Sequence, residues 1–391
     1  MRKFIVKLIL ALALIDVTGD FMIVLSENVA EILSPIRTSL GIIIPVVIFL
    51  GLFDSIKAEK RLIRVLIGFV AILIPALLNG ILFNNPSNAF REIVPFVFLL
   101  LCPILIKITD DEFQSVMNFF LWTLLIVGVI KLIAAQIVSL IVQGILSWKV
   151  ILRMSPLFIY GYTFYLQKYL NFPASKIKNI VATIIFLILI LSAQARALNF
   201  ALLVCTLYLI GISNFKLHKV LPFGIAVVAA AILTTIITDY EFSQIFGRWE
   251  GENYDDAVDY RKEQLDILIN RFIDHPIFGV GLGYFTPGYR TYDELDNPFL
   301  LELDTLNFLT KIGIFGDILY FFIIIYIFRI KYKNKSDYNK RIIFNSARYT
   351  IIGMYLYSTF QTLHSSVLFW MVMSLCIATI LRYSKIHDDQ I

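Results

Sequence analysis

Charge is scarce in this chain. Asp, Glu, Lys and Arg make up 16% of its 391 residues, against 59% hydrophobic and 14% aromatic. That leaves too little polar surface to cover a water-soluble globule of this size. Cysteine is scarcer still: Cys102, Cys205 and Cys376 are widely separated and each falls in an apolar run, which excludes a disulfide framework and a thiolate zinc site. Histidine occurs four times, without a His-Glu-x-x-His pattern, and there is no P-loop. The net charge of +5 does not point to nucleic acid, because no basic patch is interleaved with aromatic residues.

Apolar runs are what the chain has in abundance. A transmembrane helix needs about 20 mostly apolar residues. Such runs recur from Phe4 to Leu381, with one long polar exception at 239–299. The pattern predicts an all-α, polytopic integral membrane protein with about twelve spans. They are placed at 4–25, 36–56, 62–83, 93–108, 113–135, 150–170, 177–193, 196–212, 219–238, 301–330, 347–364 and 366–382. The whole chain, 1–391, is expected to form one membrane domain, with the 239–299 loop inserted before a late span. The first span begins with the basic "MRK", but no small-residue cleavage site follows it and Asp16 and Asp20 lie within it, so it reads as retained.

Lys and Arg gather in "KAEKRLIR" (57–64), "KIK" (176–178), "KLHK" (216–219), "RIKYKNK" (329–335) and "KR" (340–341). With twelve spans and a cytoplasmic N-terminus, each of these clusters falls on the cytoplasmic side, as the positive-inside rule asks. Both termini are then cytoplasmic and the 239–299 loop faces outward.

Within that loop, 255–273 reads as an amphipathic helix, with Leu265, Leu268 and Phe272 at helical spacing and Pro276 just beyond its end. Arg261 projects from the same stripe, whereas Lys262 and Glu263 point elsewhere. An Arg on a packed face needs an anion, either a carboxylate of the protein or a substrate phosphate; snorkelling is the bland alternative. "HPIFGVG" (275–281) follows. Its glycines suit a tight turn or a close backbone approach, and without a βαβ unit they do not form a dinucleotide fingerprint. Asn297-Pro298 then supplies a helix start, which puts Glu302 in the first turns at the outer membrane surface. A helix N-terminus tolerates a carboxylate there, and Asp304 competes with Glu302 for any functional role.

Together, Arg248-Trp249, Arg261, HPIFGVG (275–281) and Gly313-Ile-Phe-Gly316 resemble the O-antigen ligase and polymerase family, the Wzy/WaaL-like proteins. Ligases of the family carry His, then Asn, Ser or Gln, then nine residues before a Gly-x-x-Gly. Counting back from Gly313 puts that His position at Glu302, followed by Leu303. An acidic residue there is similar to what capsule, exopolysaccharide and O-antigen polymerases show. "LSAQARALNF" resembles the family's Ser-x-x-x-Arg at the outward tip between two spans, which places Arg196 with the site. The resemblance covers about 177–330, and the first half of the chain matches in hydropathy alone.

The resemblance implies a glycosyltransferase of the bacterial inner membrane. Its substrate would be a polyprenyl-diphosphate-linked oligosaccharide, polymerised at the outer face into O-antigen, capsular or exopolysaccharide. Glu302 would be the catalytic base, and Arg196, Arg248 and Arg261 would hold the diphosphate. His275, Gly279, Gly281, Arg290 and His364 are further candidates for contact with substrate. No cofactor is expected. The absence of an Asp-x-Asp motif from the outward segments favours a metal-independent site, although the carboxylates of "YDDAVD" (254–259) could hold a divalent ion. Expected partners are membrane lipid, a chain-length regulator and a flippase. Two alternatives stay open: a ligase moving finished glycan to lipid A core or protein, and a transporter such as a lipid-linked oligosaccharide flippase.

Overall fold

The computed structural model describes residues 2–16, 46–54, 59–142, 155–171, 176–193, 196–212, 227–228, 232–234, 252–284, 303–332, 337–358 and 367–384. The described residues are mostly helical, with no strand among them. In chain order the helices are α1 (Arg2–Asp16), α2 (Lys60–Phe83), α3 (Pro86–Ile93), a 3-10 segment (Val94–Leu100), α4 (Leu101–Lys107), α5 (Asp110–Val142) and α6 (Ser155–Asn171). They continue with α7 (Lys176–Ser192), α8 (Arg196–Ile212), α9 (Glu252–Asp274), α10 (Asp304–Arg329), α11 (Tyr338–Ser358) and α12 (Val367–Tyr383).

Among the described residues, four stretches are long and apolar enough to cross a membrane: Lys60–Phe83, Pro86–Lys107, Asp110–Gln136 and Asp304–Arg329. Ile177–Ser192, Ala197–Leu207 and Val367–Tyr383 are shorter apolar helices. The all-α membrane class is thus found. The expected spans 36–56 and 219–238 lie largely outside the described residues.

Local chemistry explains the boundaries. The span expected at 93–108 begins instead at Pro86, where Asn85 accepts a hydrogen bond from Ser87 N–H at 2.9 Å and Pro opens the first turn. Pro95 lacks the N–H and crowds the preceding turn, so the chain passes through a 3-10 segment before α4. Thr109 and Glu112 cap the start of α5 reciprocally, each side chain accepting from the other's backbone N–H at 3.3 and 3.2 Å respectively. Asp110, Asp111 and Glu112 then sit in the electropositive first turn.

The protein divides into two compact units. One is drawn from Met1–Pro45, Ile108–Glu250 and Lys335–Tyr357. In it α7 packs along α6, with the Phe158 and Phe186 ring centroids 6.0 Å apart. A Cβ at Gly161 would strike the Phe186 ring, so this crossing depends on a missing side chain, as is common where membrane helices approach closely. Tyr162 and Thr206 share a hydroxyl hydrogen bond of 2.8 Å between α6 and α8, and Lys340 pairs with Asp110 at 2.7 Å.

The other unit is drawn from Val46–Lys107, Gly251–Asn334 and Ser358–Ile391. Its centre is aromatic. Phe96 stacks on Phe308 at 5.6 Å and meets Trp370 at a tilt with centroids 4.2 Å apart, while Phe69 meets both Trp370 and Tyr320 edge-on. This cluster joins α2, the 3-10 segment, α10 and α12. Ser374 Oγ donates to the Phe98 carbonyl at 2.5 Å and Cys102 Sγ donates to the Ser374 carbonyl, so buried polar atoms on the facing helices satisfy one another. At one end of the unit Arg61 donates to Ser384 Oγ, Lys107 pairs with Asp54, and Arg382 donates to the Leu105 and Ile106 carbonyls. The segment 275–284 lies toward the opposite end, against residues 76–92 of α2 and α3.

Candidate active site

α10 is a broken helix. Gly313 has φ 65° and ψ 180°, a conformation that glycine alone adopts without strain. In a continuous helix Ile314 N–H would donate to the Thr310 carbonyl and Phe315 N–H to the Lys311 carbonyl. Both bonds are replaced. Val280 N–H donates to Thr310 O and Gly281 N–H to Lys311 O, each at 3.1 Å, while Ile314 N–H donates to Pro276 O at 2.9 Å and Phe315 N–H to Ile277 O at 3.2 Å. The segment after α9 thus takes up all four backbone groups that the break releases.

Further hydrogen bonds hold the rest of that segment. Gly279 N–H donates to His275 O, Leu282 N–H to Ala76 O at 2.9 Å, and Gly283 N–H to Glu92 Oε2 at 2.7 Å. Asn79 donates to Gly279 O, and Asn84 donates to Val280 O and Leu282 O at 2.8 and 3.0 Å. Irregular backbone is tolerated beside membrane helices where protein supplies its partners, and here two asparagines and a glutamate do so. Gly279, Gly281 and Gly283 all have positive φ, and a Cβ on any of them would collide with backbone of α10, α2 or α3.

Around this joint sits a buried polar cluster. Lys311 Nζ donates to Glu92 Oε1 at 2.5 Å, and both side chains are largely buried. On α9, Gln264, Leu268 and Arg271 are buried. Arg271 Nη1 donates to Asn307 Oδ1 at 3.0 Å, and its guanidinium lies 4.6 Å from the centre of the Tyr284 ring. Burial pulls the Arg271 guanidinium below its usual range, with Tyr284 and Glu92 opposing. Even so, it stays charged at neutral pH. Gln264 Oε1 accepts from Leu303 N–H at 3.2 Å and so anchors the start of α10 to α9.

The sequence expectations divide as follows. Glu302, Arg248, Arg290 and His364 lie outside the described residues, as does the Asn297-Pro298 helix start; the described α10 begins at Asp304, which is buried. Arg196 is the first residue of α8 and Arg261 lies within α9, one turn before Gln264; nothing is described of either side chain. "YDDAVD" likewise lies within α9 with undescribed side chains. His275 is exposed; its N–H donates to Arg271 O at 3.2 Å and continues the last turn of α9. Gly279 and Gly281 lie at the helix break.

The packed stripe of α9 differs from the expected Leu265, Leu268 and Phe272. Leu268 is buried, but Leu265 is exposed and Phe272 only half-buried, because the neighbouring polar groups draw Gln264 and Arg271 inward. Lys262 and Glu263 are exposed, as expected. Glu92, Lys311, Arg271, Asn307 and Gln264 were not expected. Lys311 within an apolar run and Glu92 at the edge of one were the available signal, since such residues need partners.

Residues 180–321 match the family described as O-antigen ligase. A relative named "Probable peptidoglycan glycosyltransferase FtsW", from Buchnera aphidicola subsp. Baizongia pistaciae (strain Bp), is 26% identical over 253 residues. That match covers 61% of this chain, and the chain spans 64% of the relative's length. The matched stretch, residues 180–321, is similar to the O-antigen ligase family and includes the positions of Arg196, Arg248, Arg261, the glycine segment and the Gly313–Gly316 pair.

Proposed function

We propose that this protein is a membrane glycosyltransferase that joins polyprenyl-diphosphate-linked oligosaccharide repeat units into a surface polysaccharide at the outer face of the bacterial inner membrane. The family match and the relative named as a glycosyltransferase support the reaction class. Glu302, in place of the ligase His, favours the polymerase.

The observation that carries the reading is the bond from Leu303 N–H to Gln264. It fixes the backbone one residue after Glu302 to the helix that contains Arg261. A base and a cation for the leaving group must be held in register, and this bond ties the start of α10, next in sequence to Glu302, to the helix that contains Arg261. Glu302 takes the proton of the acceptor hydroxyl as its oxygen bonds to the anomeric carbon. The bond from that carbon to the diphosphate oxygen breaks, and the lipid diphosphate leaves with the electron pair. Arg196, Arg248 and Arg261 hold the departing charge, for which the planar guanidinium fork offers two parallel hydrogen bonds.

The family's description as O-antigen ligase favours a second reading, the same transfer to another acceptor. The surface glycan of a deletion strain separates them. Single repeat units on their anchor are expected for the polymerase. Free polymer would assign the ligase, and internal lipid-linked units would assign a transporter.

A further inference from the structure

Three faces can be traced along α9. Gln264, Leu268 and Arg271 are buried against protein, and Lys262, Glu263, Asp266, Asn270 and Asp274 are exposed and polar. Beside the buried face runs an apolar strip, Leu265, Ile269 and Ile273 at i, i+4 and i+8, between 39% and 65% exposed, with Lys262 and Asp266 along its edge and Glu263, Asn270 and Asp274 beyond it. The stripe does not stop at the helix end. Ile277 and Phe278 continue it, exposed, and Phe278 meets Phe315 with ring centroids 6.0 Å apart. Ile314 and Phe315 lead onward to Ile318, Phe321, Phe322 and Ile325, the exposed apolar face of α10.

The level of this junction follows from lengths. Polar residues Asp304, Asn307, Thr310 and Lys311 lie before the break, and the apolar part of α10 follows it. From Ile314 to Arg329 the helix is about 24 Å long at about 1.5 Å per residue, most of the way across a hydrocarbon core of about 30 Å. On α2 the same segment meets Ala76, Asn79 and Asn84, at the last turns of that span. Both measures put the break, and the stripe beside it, at a membrane surface.

We infer that α9 is an in-plane interfacial helix, whose Leu265–Ile269–Ile273 face and the following Ile277 and Phe278 lie among the acyl chains of the adjacent leaflet. An apolar face left open beside a lipid-facing span and flanked by a charged face has the composition of a helix that lies in the interface plane. Continuity with the exposed face of α10 makes the occupant lipid. On the functional reading above, the helix that contains Arg261 would then lie against the bilayer that carries the lipid-linked substrate.

The test uses the full chain in nanodiscs, with a single environment-sensitive fluorophore attached through cysteine at position 269, 273, 263 or 270. Quenchers are a nitroxide on the upper acyl chain and aqueous iodide. The fluorophores at 269 and 273 should be quenched several-fold more by the nitroxide than those at 263 and 270, with the order reversed for iodide. Equal iodide quenching at all four positions would put the stripe in water, and protection of 269 and 273 from both quenchers would put protein over it. Either result overturns the inference, whatever the enzyme's activity. A second measurement leaves the protein unmodified: lipids with a photoreactive acyl chain should crosslink to Ile269, Ile273 or Phe278, and crosslinks absent from 265–278 would contradict it.

Discussion

Gly313 and Gly279 stand back to back. A Cβ on Gly313 would collide with the backbone nitrogen of Gly279, and a Cβ on Gly279 would collide with the Lys311 carbonyl. The break in α10 and the turn after α9 are therefore one joint, in which each glycine makes room for the other.

Gly313→Ala tests the joint. The φ of 65° costs an alanine about 1–3 kcal/mol, and the new methyl pushes the 275–283 segment away from α10. Transfer activity should fall steeply and the thermal midpoint of the purified protein should drop. Ile277→Ala, at an exposed position in the same segment, should leave the midpoint near that of the unmodified protein.

Glu92 and Lys311 form a buried pair whose carboxylate also holds Gly283 N–H. Glu92→Gln leaves a buried ammonium without its counter-charge, a loss of about 3–5 kcal/mol for buried pairs. Replacing both, as Glu92→Gln with Lys311→Met, should recover much of that loss in thermal unfolding. A double variant as unstable as the sum of the two single variants would show that the pair does not act as a unit.

Arg261→Lys and Arg196→Lys keep the charge and remove the bidentate fork. Polymer in the surface glycan should be largely lost while protein level holds. Lys262→Ala, at an exposed position, should behave as the unmodified chain. Equal loss at all three positions would point to damage to the fold of the loop.

Sidedness has its own test. Thiol reagents that cannot cross the membrane should label a cysteine at position 255 from outside and miss one at 335, as the Lys/Arg asymmetry requires. The reverse pattern would overturn the outward placement of the site.

The membrane class, the helix in the loop and the importance of the 275–281 segment were legible in the sequence, because each rests on local composition and spacing. Arg196–Ile212 forms a helix with the expected bounds, and α9 differs from expectation by a few residues at its start. What was not legible depends on contacts distant along the chain. Nothing near Glu92 says that its partners are Lys311 and Gly283, and nothing near Gly313 says that the helix opens there, because Gly-x-x-Gly also suits a continuous helix. The inward turn of Gln264 and Arg271 was hidden for the same reason. Hydrophobic periodicity favoured Leu265, whereas Leu303 N–H and Asn307 offered polar partners to its neighbours.

The most direct test of the account is Glu302→Gln assayed on lipid-linked repeat units with purified protein. The exchange is nearly isosteric but removes the carboxylate, and general-base catalysis is worth roughly 10²- to 10⁴-fold in rate. Turnover should fall by that factor while binding of the lipid-linked unit persists, Asp304→Asn should retain turnover, and EDTA should leave the unmodified enzyme active. Near-normal turnover by Glu302→Gln would contradict the account, and loss in Asp304→Asn alone would move the base to Asp304.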